Sequence, residues 1–407
     1  MRYSKVIAVG LLFSSLSIPQ AFAQFELPDG ILFSRKYKST VIPYEGTRPN
    51  VSLANNTKKS ILITGSYGLR AYGRLEGSER SYHLRQIDSE SFPRASMISG
   101  STIVMSPNGQ FLAGIGAAVP YVNECYGKDL SDYDWSQDTI TGFANLGNCT
   151  ASNPTMNSIN NNGIFVGGVD AWAYKPWVGT VSSAPSAIGL VDAFGDNHLG
   201  HASQINDSGF VMGRGYSQET NDQYRNWYYD LNSNDLTVRY LPAGLKSPRV
   251  TGLNNSGDAI IYEQDFSRQR TYFWSKTSGL QDITPVIPGC VSTPQPLLSR
   301  AINDAGTIVW SCSMSVAGAD LAAVSFVQLE RGQQPIDIRR LVGASLDWPL
   351  EVIAQNNRGD FVTIKPESFD GFWWSSEVEV RLHEKISPRL LQEPFDLAGP
   401  ATADEIE

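Results

Sequence analysis

Beyond Ile18 this chain of 407 residues has no apolar run long enough to cross a bilayer. A spanning helix takes about 20 residues, so no integral membrane segment is expected. Basic charge is short: 32 Lys and Arg stand against 41 Asp and Glu, for a formal net charge of -9. That balance repels polyanions and argues against nucleic acid as a partner. Histidine and cysteine occur four times each. Nucleophile elbows, phosphate-binding glycine loops and paired zinc cysteine motifs are all missing. So is sustained helical periodicity, which argues against helix bundles and against sheets with helical crossovers.

What is present begins with an export signal. Arg2 and Lys5 precede the apolar run Val6 to Ile18, then come Pro19 and Ala21-Phe22-Ala23 before Gln24. This order predicts a signal peptide over residues 1–23, cut after Ala23. Its removal takes away two basic residues and no acidic one, leaving a mature charge of -11. No cysteine lies near the cut to carry a lipid, so the expected location is the periplasm or the exterior. Four cysteines bound for an oxidising space admit three pairings. Sequence separations of 24 and 22 favour the two local ones, Cys125 with Cys149 and Cys290 with Cys312.

Six segments then share one pattern: usually an aliphatic residue, a small polar residue, two variable positions, Gly and an apolar stretch. Five are Asn160 to Gly163, Asn206 to Gly209, Asn254 to Gly257, Asn303 to Gly306 and Asn356 to Gly359, and Ser106 to Gly109 precedes them. Successive glycines are 54, 46, 48, 49 and 53 residues apart. A period of this length points to a propeller or solenoid. Within 202–242 the turn Asn206 to Gly209 joins Ser203–Ile205 to Phe210–Met212, an aromatic strand Asn226–Leu231 follows, and Leu236–Leu241 completes a four-stranded antiparallel meander. The same order recurs over 250–283 and over 299–341, with Ser299–Ile302 and Pro335–Leu341 as its first and last strands. Leu53 to Ile63 is a degenerate seventh copy with lysines where the turn glycine should be. The expected fold is all-β, a single β-propeller over residues 24–387 with four-stranded antiparallel blades, seven rather than six. Ile31–Tyr37 or Thr40–Tyr44 should pair with Val378–Leu382 to close the ring and hide its edges. Residues 388–407, rich in Pro, Ala, Asp and Glu, read as a flexible tail.

The runs Ile205-Asn206-Asp207-Ser208-Gly209-Phe210-Val211-Met212-Gly213 and Ile302-Asn303-Asp304-Ala305-Gly306 resemble the HAF family of probable extracellular repeats of bacteria. The aromatic strands Tyr272-Phe273-Trp274-Ser275 and Phe372-Trp373-Trp374-Ser375 add to that resemblance, which covers roughly residues 100–385 and lacks the family's His-Ala pair before the aromatic strand. It implies export and a repeat fold, and no activity.

Three sets of residues are candidates for chemistry. The insertion Glu124 to Asp138 gathers Tyr126, Asp129, Asp132, Tyr133, Asp134, Trp135 and Asp138. It interrupts a regular repeat and is the first choice for a binding surface. Its carboxylates could take calcium, although the glycine of a calcium loop is missing, and no other cofactor is expected. His198 and His201, with Asp192 and Asp196 nearby, have spacing that could hold a divalent ion; a solvent-facing loop is the simpler reading. The aromatic strands suggest a sugar platform at first sight, but recurrence at one place in each blade fits packing between sheets better. The Asn-Asp-x-Gly turns also loosely resemble sialidase aspartate boxes, without that family's Phe-Arg-Ile-Pro signature. The expected function is a non-catalytic binding or scaffold module for an envelope or extracellular protein or glycan. The alternative is a hydrolase or lyase of an extracellular polymer with its site in the central funnel.

Overall fold

A computed structural model describes residues 37–46, 48–64, 70–76, 81–87, 103–119, 122–149, 155–168, 175–195, 199–215, 224–265, 268–316, 319–366 and 378–386. The expected signal peptide over 1–23, the expected tail over 388–407 and the aromatic run 372–375 lie outside them. Among the described residues no helix is long and apolar enough to cross a membrane.

The repeat folds as its alternation dictates. His201–Ile205, Phe210–Gly215, Arg225–Asp230 and Arg239–Tyr240 pair antiparallel in sequence order. Phe210–Gly215 is buried along its whole length because neighbouring sheets cover both of its faces. Trp227 pairs with Gly213 across the ladder. A Cβ at Gly213 would lie 2.0 Å from the indole, so the ring occupies the space the glycine leaves. The indole N–H of Trp227 donates to the Leu199 carbonyl at 2.8 Å. Trp177, Trp227 and Trp310 are all fully buried. For these three rings, packing between sheets is the role found.

The chain forms mostly antiparallel sheets in a propeller arrangement. Blade pairing differs from the seven, or six, separate four-stranded blades expected. Five sheets of four or five strands stand alone, and eight further strands form one continuous sheet. Its two halves meet at one residue pair, Gly168 with His201. Glycine permits the approach: a Cβ on Gly168 would fall 2.6 Å from the His201 Cα, and one on Gly200 would fall 2.3 Å from the Arg214 carbonyl oxygen. Two strands were also misplaced. Over 299–302 the backbone breaks at Arg300, which sits at φ 54°, so the inner strand is the earlier Gln295–Pro296 plus a single bridge from Ile302 to Ile308. Over 335–341 only Ile336–Asp337 is extended. Asp337 caps the short helix Ile338–Val342, accepting from the Arg339 N–H, and Gly343 ends it in the left-handed region.

Closure of the ring is built from the two ends of the described chain. Tyr37–Ile42 pairs antiparallel with Val378–Lys385, with Ile42 opposite Val380 and Tyr37 opposite Lys385. The second expected segment, Thr40–Tyr44, thus overlaps the closing strand at its start.

The repeat turns form a second, inner belt. In each full motif the first Asn uses its side-chain oxygen to accept backbone N–H groups of its own turn; Asn206 Oδ1 takes those of Ser208 and Phe210. Its amide nitrogen reaches the next turn, so that Asn160 donates to the Asn206 carbonyl, Asn206 to Asn254, Asn254 to Asn303, Asn303 to Asn356, and Asn356 to Ala54. Asp could build the turn but has no N–H to donate, which explains why Asn recurs here. The following position needs only an acceptor, and both Asn and Asp occur there. The Asn108 N–H donates to Asn161 Oδ1, Asn161 to Asp207, Asp207 to Asn255, Asn255 to Asp304, Asp304 to Asn357, and Asn357 to Asn55. The Asn55 N–H then meets the Pro107 carbonyl and completes the circle. Lys59, in the copy without a turn glycine, itself adopts φ 49°.

Both local disulfides are formed, Cys125–Cys149 and Cys290–Cys312, with no free cysteine among the described residues. Each ties a strand, at Cys125 or Cys312, to a segment lying beside it outside the named strands, and the pair fits an oxidising compartment. Closing loops of this size should contribute roughly 3 kcal/mol apiece. Reductant should therefore lower the urea midpoint of the folded protein, and a thiol reagent should label none of the cysteines when the unreduced chain is unfolded. Labelling of all four would remove the crosslinks from this account.

Candidate functional site: the central channel

The innermost strands surround a channel whose two ends differ. At the turn end the Asn and Asp belt leaves a cavity of about 40 Å³, room for a few waters. Arg300 closes this end. Its guanidinium donates to the Leu53 carbonyl at 3.2 Å and the Met105 carbonyl at 2.6 Å, on two other sheets. Gln355 Nε2 holds the Arg300 carbonyl at 2.8 Å. Burial pulls the Arg300 pKa down to about 10, opposed by the charge of Asp207. These bonds offset the cost of a left-handed non-glycine residue, on the order of 1–2 kcal/mol.

At the other end the channel widens into a funnel of about 810 Å³. That volume is in the range of small-ligand sites. Its walls combine residues of the inner strands Asn50–Leu53 and Glu351–Gln355 with residues of the neighbouring strand Ile308–Val316, mixing aliphatic side chains such as Val51, Val309 and Val352 with the hydroxyls of Ser52, Ser311 and Ser313. No aromatic residue lines it among the described residues. One ion pair stands in the wall: Arg48 Nη2 meets Glu351 Oε1 at 2.5 Å. Glu351 is only 6% exposed, and its Oε2 has no hydrogen-bond partner among the described residues. Burial raises the Glu351 pKa, opposed by the Arg48 charge and hydrogen bond.

The residues singled out from sequence lie elsewhere. The insertion lies along the flank of the neighbouring sheet. Thr139–Ile140 adds a fifth strand, parallel to Ser81–Ile87, and Trp135 packs on Tyr72 and Tyr133. The Arg74 guanidinium lies 3.9 Å from the centre of the Trp135 ring, and Arg85 donates to the Trp135 carbonyl at 2.5 Å. The Tyr126 hydroxyl donates to Glu124. Asp129 accepts from Ser131 and Gln110, and Asp134 from Ser136 and Gln137. Those hydrogen bonds hold both carboxyls below the usual range, at Asp129 against a larger opposing burial effect. Asp132 and Asp138 are exposed. Among the described residues no three His, Cys, Asp or Glu side chains converge on a metal-sized space. His201 opens a strand, with Asp192 buried nearby in sequence, while Asp196 and His198 lie outside the described residues.

Arg48, Glu351 and Arg300 were missed. The first two are 303 residues apart, so no local pattern joins them. Arg300 did carry a signal: it is a charge at the register where other copies have Ile103, Asn157, Ser203, Thr251 and Ile353.

No family model and no curated protein matches this chain. Solved structures of propeller-containing enzymes are similar to it in shape. A prolyl endopeptidase is 13% identical with a TM-score of 0.49, over 91% of this chain and 54% of that one. Prolyl oligopeptidase B from Galerina marginata is 11% identical with a TM-score of 0.48, over 88% and 50%. An oligogalacturonate lyase from Vibrio parahaemolyticus is 12% identical with a TM-score of 0.49, over 87% and 97%. The chain spans about half the length of the two prolyl peptidases.

Proposed function

We propose that this chain is an exported propeller, of the kind the HAF resemblance implies, that acts as a binding or scaffold module for a protein or glycan of the envelope or exterior. The reading rests on the funnel: a cavity of about 810 Å³ whose walls alternate aliphatic groups with neutral hydroxyls and amides, set in a ring held rigid by two closures. Such walls can desolvate a ligand and still meet its polar groups.

A second reading, a hydrolase or lyase of an extracellular polymer, has one observation in its favour: Glu351 lines the funnel with its pKa raised by burial, a property suited to a proton donor. Glu351 is the one carboxylate among the described wall residues, and binding is the reading we adopt.

Leu298 sits at the funnel and is 69% exposed, while Phe194 is 70% exposed and does not line it. A photo-crosslinking residue at position 298 should capture a partner from the protein's own envelope fraction, and the same residue at 194 should not. Equal capture at both sites, or none at 298, would sink the proposal that the funnel is the binding face.

A further inference from the structure

Among the described residues the funnel wall holds one cation, Arg48. It stands just before Asn50–Leu53, the innermost strand of its sheet. Its side chain is 39% exposed, and the one hydrogen bond which that side chain makes among the described residues runs from Nη2 to Glu351 Oε1. A guanidinium carries five N–H donors in a planar fork, so this contact fixes the group and leaves donors for a second acceptor. Glu351 is buried and Arg48 exposed, which makes the carboxylate the anchor and the guanidinium the surface that a ligand in the funnel meets. Around it the wall offers the aliphatic Val51 and Val352, the hydroxyls of Ser52 and Ser311 and the amide of Gln295, with no aromatic face on which a sugar ring could stack. Asn50–Leu53 pairs with Ile61–Thr64 on one side only, and the open edge of such a strand can meet a second main chain. One anion, apolar side chains and a backbone in need of hydrogen bonds together describe the end of a polypeptide.

We propose that Arg48 seats the terminal carboxylate of a peptide or protein segment whose last residues are aliphatic, entering from the wide end of the funnel. The guanidinium donates to the carboxylate in a charge-assisted contact, and capture of a chain terminus in this way is a recurring mode of peptide recognition. This deepens the funnel-binding reading and rests on it. A net charge of -9 repels polyanions, whereas a single terminal carboxylate meets one fixed guanidinium at close range. Glu351 is then both the anchor of Arg48 and the competitor for its charge, so the two members of the ion pair have opposite effects on the ligand.

Calorimetric titration of the full chain at neutral pH tests this. The probes are the peptide acetyl-Ala-Leu-Val with a free terminal carboxylate, the same peptide with its terminus amidated, and octanoate as an alkyl carboxylate without a peptide backbone. The free-acid peptide should bind about tenfold or more tightly than either of the others. R48Q should weaken it by about tenfold or more. E351Q keeps an acceptor for Arg48 and removes the competing charge, so it should tighten the free-acid peptide several-fold. Should R48Q fail to fold, the comparison of acid with amide on the parent protein still decides. Equal binding of the amide, no binding of the acid up to about 10 mM, or unchanged affinity in both folded variants overturns the proposal, and octanoate binding as tightly as the peptide overturns its assignment to a peptide end. Any of these results with the position-298 crosslink retained would end the carboxylate-terminus assignment and leave the funnel-binding reading standing.

Discussion

Replacing Asp360 with alanine should cost the fold about 3–5 kcal/mol, because it strands a buried charge at the closure of the ring. Asp360 is 1% exposed. Its Oδ2 receives Lys59 Nζ at 2.5 Å and Asn356 Nδ2 at 2.7 Å, while Oδ1 accepts the Lys385 N–H at 2.8 Å. One carboxylate thus joins the first inner strand's turn, the last repeat turn and the end of the closing strand. Without it the Lys59 ammonium keeps its burial and loses its counter-charge. An exposed pair provides the control: Arg270 and Asp282 lie 2.7 Å apart with both side chains more than a third exposed. D282A should change stability by less than about 1 kcal/mol. Urea unfolding at unchanged m-value measures both. A loss below about 1 kcal/mol for D360A would show that water reaches the Lys59 site and that the clasp is weaker than its geometry implies.

Acidification should loosen the same closure through His383. The imidazole lies buried on the closing strand, with Nδ1 2.8 Å from the Ser39 hydroxyl and Nε2 2.8 Å from the Thr363 hydroxyl. Burial first, then the Arg381 charge, lowers its pKa to about 4, with Glu379 opposing. An unfolded histidine takes up its proton near pH 6.5. Between about pH 6.5 and 4 the unfolded chain therefore binds more protons than the folded ring, and stability falls as pH is lowered through that window. The full loss is on the order of 3 kcal/mol, complete only below the folded value. H383Q keeps a donor and an acceptor for the two hydroxyls without titrating. Its stability should decline less between neutral pH and pH 4 than that of the parent protein. Parallel curves for the two would rule out His383 as the source of the acid dependence.

Much of the architecture was legible in the sequence because its cause is local. A strand-turn-strand unit is specified by alternation, an Asn that folds its own turn and a Gly that supplies positive φ, as at Asn206 to Gly209 and Asn254 to Gly257. Disulfide partners about two dozen residues apart could be paired by proximity in sequence. Strand edges were legible only where the local pattern held. At Arg300 the backbone leaves the strand so that its side chain can reach two other sheets, and nothing within 299–302 announces those acceptors.

The insertion 124–138, whose aromatics and carboxylates are the expected binding surface, takes its arrangement from contacts beyond its own sequence. In the fold Tyr133 and Trp135 pack on the next sheet, and Asp129 and Asp134 cap local turns. The residues themselves are compatible with either arrangement, and contact with Tyr72, Arg74 and Arg85 selects the one found.

The sequence by itself determined the repeat, the meander within it, the all-β class and the two crosslinks, since each follows from residues within one period of one another. Tertiary structure alone decided how the sheets join, what the second polar residue of each turn accepts, and where a buried carboxylate meets a cavity. Arg48 with Glu351, Lys59 with Asp360, and Asn356 with Ala54 are each about 300 residues apart. Their chemistry exists only because a closed ring brings the last blade against the first, and no short-range propensity encodes which residues that closure will make neighbours.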